Sequence, residues 1–113
     1  YRKNLEQHEV GCRITTITDG RFLTASHIKP WSKSTDFEKL DGNNGLLRSP
    51  HVDRLFDRGY ISFENNGALM LSPSLPPEVI LAWDISAVPE QRPLTKEQAS
   101  YMEYHRTKIF RKT

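Results

Sequence analysis

Short apolar bursts, each closed by glycine, proline or asparagine, set the pattern of this chain. Residues 2–9, RKNLEQHE, are polar and predict a short helix, with Gly11 as its stop. Two runs rich in Ile, Thr, Phe and Leu follow, Cys12–Thr18 and Arg21–Ile28, separated by Asp19-Gly20. That dipeptide between two such runs predicts a β-hairpin. Pro30 then closes the second strand, and residues 31–43 show no clear period, which predicts a polar loop. Gly45–Arg48 predicts a short strand. After it Ser49 is a suitable helix cap, and Pro50 suits the first helical position, where its missing N–H costs nothing. Val52, Leu55 and Phe56 then fall on one stripe, and Gly59 ends the helix. Tyr60–Phe63 and Ala68–Leu71 predict a second hairpin around Asn65-Asn66-Gly67. The stretch Pro73–Pro93 holds five of the seven prolines and predicts irregular structure, with a helical turn at Glu78–Ala82. Thr95 with Gln98 three residues on matches a capping box, opening a helix to about Arg111.

At 113 residues the chain has room for one hydrophobic core, so a single α+β domain is expected over 1–113. Its core would be about 12–74, with an irregular segment at 75–94 and a helix at 95–111. No apolar run approaches the roughly 18 residues of a membrane span. The one cysteine, Cys12, excludes an internal disulfide and an all-cysteine zinc site, so a reducing, cytoplasmic location is expected. The first residue is Tyr1 and not Met, which suggests a piece of something longer. The net charge of +2 says little, but residues 96–113 alone carry +3 and the rest −1. A basic terminal helix is suited to a phosphate backbone or to plain solvation.

Candidate chemistry gathers between residues 26 and 58. His27 ends the second predicted strand, and histidine is the side chain whose unperturbed pKa suits it to take a proton from water near neutrality. Asp53 and Asp57 are four residues apart, so on a helix they share a face, beside the apolar stripe. Paired carboxylates are hard oxygen ligands suited to Mg²⁺ or Mn²⁺. His51 points about 140° away from that face, so it suits a phosphate contact or a surface role. Lys29, Arg48, Arg54 and Arg58 lie close by in sequence as candidate phosphate contacts. Trp31 and Phe37 are open to stacking on a sugar or base, or to packing.

Three strings in this order, Ser26-His27-Ile28-Lys29-Pro30-Trp31, then Asn44-Gly45-Leu46-Leu47, then His51-x-Asp53-x-x-Phe56-Asp57-x-Gly59, carry a resemblance. They resemble the HNH, or ββα-metal finger, endonucleases, and within them the restriction-type branch. The likeness runs from Cys12 to about Ser74, and Tyr104-His105-Arg106 before Ile109-Phe110 also looks like that branch. The resemblance implies a ββα-metal core with an added β-hairpin and a C-terminal helix. It implies His27 as general base, and Asn44 as the residue whose side chain holds the base-bearing loop in shape. It implies one Mg²⁺ or Mn²⁺ per active site, on Asp53 with Asp57 as a further ligand. Ser26 departs from the pattern, since many members place an Asp or His there; a serine could hold a metal-bound water.

Double-stranded DNA is the substrate that the resemblance implies, cut to 5′-phosphate and 3′-hydroxyl ends. The domain would be the cleavage module of a longer, modification-dependent restriction enzyme whose target-recognition domain lies elsewhere in the chain. A double-strand cut by one active site needs two copies or two events, which leaves a homodimer open. The alternative from another class is a nucleic-acid-binding module without catalysis, and Ser26 with the modest charge favours it. A third class, a protein-interaction domain, has only the apolar segment at 76–85 in its support.

Overall fold

The structure is a computed structural model and describes residues 1–85, 88–89 and 91–113. Helix α1 (Arg2–Leu5) leads into a loop and then to strand β1 (Thr24–Ser26). Helix α2 (Asp36–Leu40), strand β2 (Leu46–Arg48) and helix α3 (Pro50–Asp57) follow, and then strands β3 (Ile61–Phe63) and β4 (Leu69–Leu71). Helices α4 (Pro77–Ala82) and α5 (Lys96–Tyr104) complete the order, and α5 runs on into a π-helical stretch, His105–Ile109. The fold is α+β, with a two-stranded sheet and a helix, β1–β2–α3, compatible with a ββα core.

The first hairpin is not where its turn signal placed it. Strand β1 pairs antiparallel with β2, Ala25 opposite Leu47, and not with residues 12–18. The reason is local. The Asp19 carboxylate accepts the Arg21 N–H at 3.1 Å and caps a 3₁₀ turn over Gly20–Phe22. Residues 12–17 close on themselves, with Cys12 N–H to the Ile17 carbonyl at 3.0 Å and Thr16 at a positive φ of 65°. The 31–43 segment is also more ordered than its lack of period suggests. A 3₁₀ turn, Trp31–Lys33, precedes α2, which Thr35 and Glu38 open with a full capping box.

Helix α1 ends at Leu5, well before Gly11, while α3 and the second hairpin follow their sequence signals. Pro50 begins α3, whose Val52, Leu55 and Phe56 are buried, and Gly59 adopts the positive φ of 80° that stops it. Ser49 stands at the cap position, but its hydroxyl bonds Thr15 Oγ1 at 2.7 Å and ties the 12–18 loop to α3. The second hairpin forms with Ser62 opposite Met70. Its turn closes on Gly67, at a φ of 89°. In the proline-rich stretch α4 spans Pro77–Ala82, and the expectation for Ser86, Ala87 and Glu90 lies outside the described residues.

Thr95 and Gln98 form the capping box of α5, but the α-helix ends at Tyr104, earlier than Arg111. In the wider π turn that follows, His105 is turned inward to bond the Phe56 carbonyl and Ser62. One buried cluster joins Leu5, Ile28, Leu46, Phe56, Ile61, Phe63 and Met102, so both hairpin layers, α3 and α5 share a core. A buried ion pair and a hydrogen bond to the same carboxylate reinforce it. Arg13 pairs with Glu9 at 2.7 Å while also bonding the Arg92 carbonyl, and Gln98 donates to the same Glu9 at 3.3 Å. Among the described residues no helix is long and apolar enough to cross a membrane.

Candidate active site

Strand β1 ends at Ser26, which puts His27 at the start of the connection to α2. The His27 Nε2 lies 2.8 Å from the Lys39 carbonyl. A carbonyl can only accept, so Nε2 carries the proton and donates, and Nδ1 keeps its lone pair. Lys39 sits in the last turn of α2, where helix carbonyls lack intrahelical partners, so the histidine also satisfies the helix end. Tyr1 stacks on the imidazole, ring centres 4.3 Å apart and planes 9° from parallel. Its hydroxyl donates to the Asn44 carbonyl at 2.7 Å. Burial raises the Tyr1 pKa; Arg48 pulls it down and Asp41 pushes it further up. The phenol therefore stays a neutral donor. Gly45 lets this ring in, because a Cβ there would collide with the Tyr1 hydroxyl.

Asn44 is fully buried and its side chain stitches the loop that carries His27 to α2. Oδ1 accepts from the Lys29 N–H at 2.9 Å, and Nδ2 donates to the Glu38 carbonyl at 3.0 Å and to Ser34 Oγ at 3.3 Å. One amide thus sets the distance between residue 29 and residue 38. The residues on either side of that bridge, 27 and 39, form the histidine–carbonyl bond.

Asp53 and Asp57 share a face of α3, and both meet Arg48 of β2. Arg48 Nε donates to Asp53 at 3.0 Å and Nη2 to Asp57 at 3.4 Å. Nη2 also reaches the His27 carbonyl at 3.4 Å. The guanidinium lies 4.1 Å over the Phe56 ring, and His105 stacks on Phe56 at 3.7 Å. Arg48 is only 1% exposed, so it does not present itself to a phosphate as expected; it is the internal counterion of the carboxylate pair. Burial lowers its pKa and the two aspartates raise it again, and an arginine stays charged throughout. Its Nη1 is buried with no hydrogen-bond partner among the described residues.

The remaining cations divide. Lys29 pairs with Glu38 at 2.9 Å. Arg54 on α3 and Arg58 just past its end are exposed. His51 turns away from the aspartates and meets Trp83 edge-on at 5.7 Å. Ser26, His27, Trp31, Asp57 and His105 line one cleft of about 360 Å³, so the serine, the histidine and one carboxylate face the same space.

Among the described residues no three His, Cys, Asp or Glu side chains come together as a metal cluster. The donor set that is present still fits a hard divalent ion. Mg²⁺ is commonly held by one or two carboxylates, with water and substrate phosphate oxygens completing the shell. Asp53 and Asp57 each give one oxygen to Arg48, which leaves the second oxygen of each for an ion.

With this geometry in hand, comparison with known proteins bears on the class. Residues 12–64 match the HNH endonuclease family. The match supports placing this segment of the chain in the HNH family, and it covers β1, β2, α3, β3 and every residue of the site except Tyr1 and His105. No curated protein matches the chain. An HNH endonuclease segment suggests a nuclease domain, and its family generally depends on a divalent metal.

Several site residues were not singled out by sequence. Tyr1 left no signal, because a terminal aromatic says nothing of where it stacks. Lys39 acts through a carbonyl that every residue has. The box that positions it, Thr35-Asp36-Phe37-Glu38, was legible as a helix start. His105 appeared only as part of a resemblance in the tail. Its Nε2 lies 2.8 Å from the Phe56 carbonyl and its Nδ1 2.9 Å from Ser62, so it braces the back of α3.

Proposed function

We propose that this HNH segment, with the helix that braces it, is a metal-dependent DNA endonuclease domain that hydrolyses phosphodiester bonds. The observation that carries the reading is His27, whose Nε2 is fixed to the Lys39 carbonyl while Nδ1 is left as a base beside a cleft shared with Ser26 and Asp57. Nδ1 takes a proton from a water, and the resulting nucleophile attacks phosphorus opposite the 3′ oxygen, leaving 5′-phosphate and 3′-hydroxyl ends. Asn44 and the Lys39 carbonyl hold the imidazole in one orientation through this step. Tyr1 covers one of its faces. Asp53 and Asp57, with Ser26 through water, would hold one Mg²⁺ or Mn²⁺, which supplies charge stabilisation to the leaving oxygen. Arg48 keeps the two carboxylates together on α3. Of the four candidate phosphate contacts, Arg54 and Arg58 are the exposed ones and would hold flanking phosphates.

The restriction-type role rests on the sequence strings, and one structural detail agrees with it. Gln98, the one side chain of α5 suited to reading adenine, is fully buried and used in the capping box. The domain is then a cutter of low sequence preference, with target choice made elsewhere in a longer chain. Incubation with supercoiled plasmid, with Mg²⁺, Mn²⁺ or chelator, tests the reading: nicked and linear products with 5′-phosphate ends are expected, and are lost in His27→Ala. The second reading, a nucleic-acid-binding module without catalysis, draws on Ser26 and on Arg48 engaging both carboxylates. A mobility shift with no cleavage at any metal concentration decides for it.

A further inference from the structure

Trp31 stands at the mouth of the His27 cleft and is 60% exposed, unusual for the largest apolar side chain in a chain with a formed core. It is not loose. Pro30 caps the 3₁₀ turn Trp31–Lys33, and Ser34 closes it, bonding the Lys29 and Pro30 carbonyls at 3.2 and 3.1 Å. Lys39 lies 3.8 Å over the indole ring. The same Lys39 accepts the His27 hydrogen bond through its carbonyl. One residue therefore registers the indole against the base; its ammonium covers one face of the ring, 4.0 Å from the Asp36 carboxylate, so a base would stack on the other face. Lys33, on the same turn, is exposed as a further cation.

We infer that Trp31 is a stacking platform for a nucleobase next to the phosphate held at His27, and that this base must be unpaired to reach it. The inference rests on the nuclease reading and names the form of DNA that reading leaves open. An aromatic face fixed beside a phosphate site, with cations flanking it, is the arrangement by which proteins grip single-stranded nucleic acid. Stacking accepts every base, since each has a π face, so it agrees with a cutter of low sequence preference. A base within an intact duplex is already stacked and offers no free face. Single-stranded, gapped or frayed DNA should therefore bind better than blunt duplex of equal length.

The test uses the full chain carrying His27→Ala, so that DNA is bound and not cut, and Trp83→Phe, so that Trp31 is the only tryptophan. Titration with a single-stranded thymidine oligonucleotide should quench the emission, while blunt duplex quenches less. Trp31→Ala should weaken single-strand binding by roughly 5- to 150-fold, with Trp31→Phe keeping part of it and duplex affinity changing less. Circular dichroism confirms that each variant is folded. Unchanged emission on DNA binding overturns the inference, as does equal single-strand affinity in Trp31→Ala. If the parent neither binds nor, with His27 restored, cleaves any DNA, the nuclease reading fails and the inference with it. Binding and cleavage that ignore Trp31 overturn the stacking alone.

Discussion

Asn44 is the residue on which the order of the site can be tested most sharply. It is fully buried and spans 15 residues backwards to Lys29 and six to Glu38. Asn44→Ala deletes bonds at 2.9, 3.0 and 3.3 Å. A neutral hydrogen bond contributes about 1 kcal/mol net, and a buried group left without its partner costs about 1–3 kcal/mol. The Lys29 N–H and the Glu38 carbonyl are both stranded, so a loss of about 3 kcal/mol is expected, or roughly 10–20 °C in Tm for a domain of this size. Activity should fall further than stability explains. Freed from Asn44, α2 no longer holds the Lys39 carbonyl against His27, and a misplacement of about 1 Å in a catalytic group costs on the order of 10²-fold. Asn44→Asp keeps an acceptor for Lys29 but turns the donor towards Glu38 into a second acceptor, so it should be as inactive as the alanine variant. The assay is plasmid nicking well below the variant's melting point, with folding followed by circular dichroism on the same sample. Cleavage reduced only by the unfolded fraction, or full activity in Asn44→Asp, would refute the positioning argument.

Other outcomes follow from the same contacts. His27→Ala should lower cleavage by about 10²–10⁴-fold or more while DNA binding survives; wild-type rates would remove the base assignment. Activity should require a divalent ion, with Asp53→Ala more damaging than Asp57→Ala and His51→Ala mildest; a His51→Ala loss equal to that of His27→Ala would contradict the placement of His51 against Trp83. Arg48→Met should destabilise by about 2 kcal/mol, since it loses a charge-assisted bond to Asp53 but also removes the orphaned Nη1. In double-mutant cycles by denaturant unfolding, coupling of Arg48 to Asp53 should exceed that to Asp57, and the reverse order would contradict the 3.0 and 3.4 Å distances. His105 has its pKa lowered from 6.5 to about 4 by burial first, with Arg48 and Arg106 adding to the effect. The unfolded chain then takes up a proton that the folded chain refuses, so stability should drop as pH falls from about 6.5 towards 4, by about 3 kcal/mol in all. Denaturant unfolding across that range checks it, and an equal slope in His105→Gln would show that another group titrates.

Elements set by neighbouring residues were legible in the sequence. Ser49-Pro50 and Gly59 bound α3, Asn66-Gly67 turned the second hairpin, and Thr95 with Gln98 opened α5. Asp19-Gly20 misled because a dipeptide signal cannot weigh its rivals. An aspartate that turns a hairpin also caps a 3₁₀ turn, and here the cap formed because Arg21 N–H lay within reach of the carboxylate. Strand β1 was then left to find β2, twenty-two residues on from Ala25 to Leu47, and no local pattern encodes such a partner. The 31–43 segment shows no period because α2, at five residues, is too short to show one, although its capping box stands in the sequence.

The site divides along the same line, between side-chain identity and what surrounds it. His27, Asn44, Asp53 and Asp57 stand out in the sequence as candidates because their chemistry is peculiar to their side chains and their order along the chain is specific. Arg48 shows what such naming omits. By sequence it is one more cation near the motif, equal to Arg54 and Arg58 as a phosphate contact. In the fold it faces inward, because every residue of β2 is buried and the strand has no solvent side. A charge there must find opposite charge, and α3 presents Asp53 and Asp57 to it. The arrangement has a consequence for the metal. Two carboxylates beside a fixed guanidinium carry a net charge of about −1, not −2, so a divalent ion should bind more weakly than the acidic pair alone suggests. On the proposed reading, the ion's retention would then depend on phosphate oxygens of bound DNA, and the complex should hold it better than the free domain does.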